Sequence, residues 1–207
     1  MKKFFTLISH QKNDAMQYQA VDNPALQLDR AVKCPIMTAI AGYTTPGEEI
    51  RVIAVLTDTP VCRGNLEEFG RQVQELCEER GFSCPAGVEA VYIPEDDDIF
   101  AQKETFRKLI TYVDDNDELF ACMTYGTKPT TNVVMMALQY AYRIKNNASI
   151  SCIIYGQLRR PDPADRSTWQ ARIYDMTALV RLDEIVHLLA ATKNPNPGEL
   201  IDLFLSM

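Results

Sequence analysis

Residues 119–136 read LFACMTYGTKPTTNVVMM, and this run narrows the choice of fold more than any other part of the chain. Its first five residues are almost continuously apolar rather than alternating, the pattern of a strand covered on both faces in a parallel sheet. Thr124, Tyr125, Gly126, Thr127 and Lys128 follow, then Pro129 and a segment with helical periodicity. Pro129 suits a first helical position, where its missing N–H costs nothing, and it holds Lys128 extended, as an N-cap requires. Gly126 has no Cβ, so backbone or a ligand can approach closely. The amides of Thr130, Thr131 and Asn132 would then lie at a helix start beside a lysine and several hydroxyls, the outline of an anion site. The same features also suit a capped helix start with nothing bound.

Four more segments read as strands. Residues 3–9 (KFFTLIS) are rich in aromatic and β-branched side chains and run out into Ser9, His10, Gln11, Lys12 and Asn13. Residues 51–57 (RVIAVLT) and 150–155 (ISCIIY) are continuous apolar runs, whereas 88–94 (VEAVYIP) alternates and suits a sheet edge. Between them lie helical patterns. Asn65 can cap one that places Leu66, Phe69, Val73, Leu76 and Cys77 on one face and stops at Gly81. Phe106, Leu109, Ile110 and Val113 mark a second helix within residues 99–113. Residues 14–42 are harder to assign: Asn23-Pro24 can start a helix, Cys34-Pro35 breaks or restarts one, and Gly42 reads as a stop. Residues 159–163 form a polar loop, 169–174 look like a returning antiparallel strand, and helices follow over 177–191 and after Pro197.

Strand–helix alternation through five units predicts an α/β fold: a doubly wound, mostly parallel Rossmann-like sheet with helices on both faces and a short helical C-terminal tail. The domain would span 1–176 and the tail 177–207. In the common strand order 3-2-1-4-5, the first and fourth strands are neighbours where the winding reverses, and ligands sit at their carboxyl ends. That order brings Ser9, His10 and Gln11 beside Thr124–Thr131.

Composition excludes several functions. At a formal charge of −7 the chain is not a general coat for long nucleic acid, and a nucleotide partner must meet a local basic site. The six cysteines form no CxxC pair and have no neighbouring histidines, which points to free thiols in a reducing cytoplasm. No segment is long enough to span a membrane, and the apolar run of MKKFFTLISH is too short for a signal peptide. The acidic run Glu95-Asp96-Asp97-Asp98 could bind a metal, or serve as a solvated loop leading into a helix start. Neither GxGxxG nor GxxxxGK[ST] is present, which argues against standard dinucleotide or nucleoside-triphosphate sites.

Taken in order, TLISHQKND, RVIAVLTDTP, IPEDDD, MTYGTKPTTNVVMMAL, IIYGQL and RIYDMT resemble the CARF domain, the Rossmann-like sensor of type III CRISPR systems. The likeness covers most of the chain, and its most telling piece is Gly126-Thr127-Lys128 with the small-residue helix behind it. The chain departs from the family pattern at Tyr125, where glycine is usual, and at Thr130, where Met or Leu is common. The resemblance implies that a cyclic oligoadenylate binds across the two-fold axis of a homodimer, with no metal and no cofactor. Lys128 and the helix amides would take phosphate charge. Thr124, Thr127, Thr130 and Thr131 would line the same contact beside Gly126, and Ser9, His10 and Gln11 would meet ribose or the neighbouring phosphate. Tyr125 could stack on an adenine or serve only in packing.

Sensors of this family are commonly joined to an effector, fused or separate. Arg181 and His187 (RLDEIVH) have the loose spacing of a HEPN ribonuclease motif, but too little chain follows for the helical bundle that motif needs. Some CARF domains also cleave their ligand as ring nucleases. In that alternative the ribose 2′-hydroxyl attacks the adjacent phosphate, with Lys128 stabilising charge and His10 positioning the hydroxyl. A further alternative is a nucleotide-binding enzyme of unrelated Rossmann type.

Overall fold

A computed structural model describes residues 1–192 and 196–205. Residues 193–195 and 206–207, part of the expected tail, lie outside the described residues. The elements run β1 (Lys2–Leu7), β2 (Tyr18–Ala20), a 3-10 turn (Pro24–Leu26), α1 (Ile36–Tyr43), β3 (Ile50–Thr57), α2 (Pro60–Arg80), β4 (Val88–Ile93) and α3 (Ile99–Ile110). They continue with β5 (Glu118–Cys122), α4 (Lys128–Ile144), β6 (Ser149–Arg159), a 3-10 turn (Arg166–Thr168), β7 (Gln170–Asp175), α5 (Thr177–Thr192) and α6 (Pro197–Leu205). Residues 1–175 and 176–207 form two compact units. In the second, α5 and α6 pack on each other, and Arg181 pairs with Glu184 one turn along α5.

The first unit is an α/β Rossmann-like domain built on one seven-stranded sheet in the order β2-β7-β6-β5-β1-β3-β4. β4, β3, β1, β5 and β6 are mutually parallel, in the predicted order 3-2-1-4-5. β1 lies between β3 and β5, with Phe4 opposite both Val52 and Phe120. The continuous apolar runs are explained by cover on both faces. Phe4, Val52, Phe120 and Ile154 join α1 and α2 in one cluster, where the Phe4 and Phe120 rings stack at 4.5 Å. The alternate residues Phe5, Ile53 and Ala121 point the other way and are also buried. α3 and α4 pack together behind them, with Phe106 edge-on to Tyr140. β4 ends the sheet, as its half-exposed pattern suggests.

The segment that resisted assignment closes the opposite edge. β7 returns antiparallel to β6, as expected, but three residues from the 14–42 segment then add β2 outside it, with Tyr18 opposite Ala171. Gly42 does not stop α1, which runs on to Tyr43. It is needed because a Cβ there would lie 2.0 Å from the Ala25 carbonyl oxygen, so only glycine lets the helix touch the preceding turn.

One further expectation is corrected. α2 begins at Pro60 with Thr59 as its cap, accepting from the Cys62 amide at 3.2 Å, so Asn65 lies a full turn inside the helix. At the far end of β1, Lys3 is 2% exposed, and its ammonium lies 2.6 Å from Asp117 and 2.7 Å from Asp114. Breaking such a buried pair from one side leaves an uncompensated charge, at a cost of about 3–5 kcal/mol.

Candidate functional site

The carboxyl ends of β1 and β5 meet where the winding reverses, and each is held by specific polar contacts. Beyond β1, Ser9 folds the chain into a turn: its hydroxyl donates to the Gln11 carbonyl at 2.8 Å and accepts the Gln11 amide at 3.1 Å. Asn65 secures this turn from α2. Its buried Nδ2 donates to the carbonyls of Ser9 at 2.9 Å and Gln11 at 3.0 Å. His10 is exposed, and its Nδ1 lies 3.3 Å from the Thr57 hydroxyl at the end of β3. Asn13 closes the loop, donating to the Lys33 carbonyl at 2.8 Å and to the Tyr125 hydroxyl at 2.9 Å.

Beyond β5, Thr124 continues the sheet through its side chain: its Oγ1 accepts the Gly156 amide of β6 at 2.7 Å. Tyr125 turns inward and donates to the Lys33 carbonyl at 3.0 Å. Burial pushes the Tyr125 phenol far above its ordinary pKa, and burial likewise raises that of its neighbour Tyr18 to about 12. Gly126 has φ +88°, and a Cβ there would press on the Leu7 side chain at 3.0 Å, so the close approach glycine permits is made by the protein's own core.

The helix start differs from expectation in register and in occupancy. Thr127, not Lys128, is the N-cap, and Lys128 and Pro129 are the first two helical residues. The Thr127 hydroxyl accepts the Thr130 amide at 3.3 Å, and its carbonyl accepts the Thr131 amide at 3.0 Å. The Thr131 hydroxyl bonds back to the same carbonyl at 2.9 Å. A carboxylate already faces this end: Thr127 donates to Asp97 at 2.8 Å, and the buried Thr130 hydroxyl lies 3.5 Å from the same oxygen. Asp98 caps α3 by accepting the Ala101 amide at 2.7 Å. The acidic run therefore serves two helix starts. Among the described residues no cluster of three or more His, Cys, Asp or Glu is placed to hold a metal ion. The Lys128 side chain is exposed and makes no hydrogen bond or ion pair among the described residues.

A cleft of about 580 Å³ opens over these strand ends. Ser9, His10, Gln11, Thr124, Tyr125 and Gly126 line it, so six of the predicted site residues share one wall. Thr127, Lys128, Thr130 and Thr131 belong to the adjoining helix start and do not line it. The opposite wall comes from the β6–β7 hairpin through Leu158, Arg160, Arg166 and Trp169; sequence reasoning read 159–163 as a polar loop and 169–174 as a returning strand and gave neither a place in the site. The cues were an arginine pair and the chain's only tryptophan, but nothing in their spacing places them over the β1 exit. Lys12, Arg160 and Arg166 outnumber Asp14 in the lining, a local excess of positive charge on a chain of net −7. A second hollow of about 390 Å³ beside Tyr92, Lys108 and Tyr112 lies at the β4 edge, away from the switch point.

The six cysteines are all free. Burial raises the pKa of the Cys34 and Cys122 thiols well above the ordinary range, so these are packed side chains rather than nucleophiles. No protein-family model and no curated protein matches this chain. Among the described residues no helix is long and apolar enough to cross a membrane.

Proposed function

We propose that the protein is a CARF-type sensor that binds a cyclic oligoadenylate at the joined exits of β1 and β5. The observation that carries this reading is the cleft at the switch point, with hydroxyl and amide groups on one wall and an excess of cations in its lining. Such a lining suits a ligand that alternates phosphodiesters, ribose hydroxyls and flat bases. Lys128, whose ammonium is free of any partner among the described residues, takes a phosphate from the adjoining helix start. Ser9, His10 and Gln11 meet ribose or the next phosphate. The ligand is nearly symmetric, so two copies of the chain related by a two-fold axis offer it matching donors, and the working unit is a homodimer. Its signal passes to an effector, fused or separate.

The test is to incubate the protein with cyclic tri-, tetra- and hexa-adenylate and to resolve bound, free and linear species. Retention of one ring size supports the proposal, and retention of none overturns it. Linear product bearing a 2′,3′-cyclic phosphate would identify the ring-nuclease alternative, for which His10, exposed on the cleft wall, is the candidate positioning group.

A further inference from the structure

The β6–β7 hairpin carries the chain's single tryptophan, and two guanidiniums are set against its ring. The Arg160 Cζ lies 4.6 Å and the Arg166 Cζ 5.3 Å from the indole centroid. The loop holds this arrangement by itself. The indole Nε1 donates to the Asp162 carbonyl at 3.1 Å, and Asp165 accepts the Ser167 amide at 2.9 Å, fixing the turn that carries Arg166. Arg166 also reaches across the cleft mouth to Asp14 at 2.9 Å, an exposed pair that ties the hairpin to the β1 exit.

Each guanidinium lies at cation–π distance from the indole, and the Arg166–Asp14 pair is exposed and screened by water, so only weak contacts hold either group against a competing anion. Guanidinium groups recognise phosphate through paired donors, and both indole and guanidinium planes stack on bases.

We propose that Trp169, Arg160 and Arg166 form the outer wall of the nucleotide site. Arg166 exchanges Asp14 for a phosphate, and a purine base stacks on the Trp169–Arg160 face. This rests on the preceding assignment of a cyclic oligoadenylate to the cleft, and adds a group of residues on which binding depends.

Because Trp169 is the only tryptophan, its emission in the intact wild-type protein reports on the hairpin alone. Titration with the retained ring is expected to change that emission saturably, with the midpoint found by filter retention of labelled ring. Trp169→Ala is expected to weaken retention about tenfold, the scale of one lost base stack. Trp169→Phe should stay within about threefold of wild type, because a stacking face remains. Arg160→Ala with Arg166→Ala should weaken binding and make its salt dependence shallower, since fewer cations meet phosphate. Circular dichroism establishes that each variant is folded. If the ring binds wild type but tryptophan emission stays constant at saturation, or if Trp169→Ala and the double arginine variant bind like wild type, the hairpin assignment is overturned and the cleft assignment stands. If no ring is retained by the wild-type protein, both fall.

Discussion

The Thr127 hydroxyl, which caps α4, donates to the carboxylate of Asp97 at 2.8 Å, so the protein sets one of its own anions at the helix start where a phosphate was expected to sit. A phosphate that approaches this helix must contend with that charge. Asp97→Asn removes the charge and keeps an acceptor for Thr127. Calorimetric titration at low and high salt is expected to show several-fold tighter ring binding at low salt, with the difference shrinking as salt screens the site. Weaker binding by the variant would show that Asp97 supports the ligand rather than opposing it.

Asn65 fastens the β1 exit to α2 through two carbonyls. Asn65→Ala leaves the Ser9 and Gln11 carbonyls without those donors, and urea denaturation should register a loss of about 2–3 kcal/mol. Asn65→Asp should be worse, because a carboxylate would then face both oxygens. If the two variants matched wild type, water would be replacing the amide without cost.

Much of this arrangement was legible in the sequence, and the boundary has physical causes. The five parallel strands and their order follow from strand–helix alternation, with continuous apolar runs marking the strands covered on both faces and the alternating run at 88–94 marking the edge. Residues 14–42 did not reveal their path, because β2 pairs over three residues, too few for a period to show. Asn65 reads as a cap by composition, yet its amide bonds backbone more than fifty positions away, a tertiary contact no local pattern encodes. Lys128 directly precedes Pro129 and so reads as the cap, but Thr127, one residue earlier, carries the hydroxyl that can accept an amide and takes it. The hairpin wall was missed because Trp169 meets the β1 exit only once β7 has folded back on β6.

The Tyr125 phenol ties Asn13 to the Lys33 carbonyl inside the domain, so its role is packing as well as any contact with ligand. Tyr125→Phe keeps the ring and deletes both bonds, and thermal denaturation should show a loss of about 1–3 kcal/mol. A Tm equal to wild type would place the ring, not the hydroxyl, as the stabilising part.

Burial raises the Tyr18 phenol from its ordinary pKa near 10 to about 12 in the folded protein. A group whose folded pKa is raised contributes stability that is complete below the unfolded pKa and is lost as pH rises through the folded one. Stability should therefore decline between about pH 10 and 12, with late tyrosinate absorbance coinciding with loss of structure. In Tyr18→Phe this part of the alkaline decline should be smaller. An unchanged profile would assign the decline to other groups.

The central claim is that a cyclic adenylate is held where β1 and β5 end, with Lys128 on its phosphate. The most direct measurement is a calorimetric titration of the retained ring into wild type and Lys128→Ala at one salt concentration, with the oligomeric state of each followed in parallel. The expected result is saturable binding by wild type and at least tenfold weaker binding by Lys128→Ala, with the oligomer unchanged, as for loss of a charge-assisted phosphate contact. Equal affinity of the two proteins, or no heat from wild type with any ring, would contradict it.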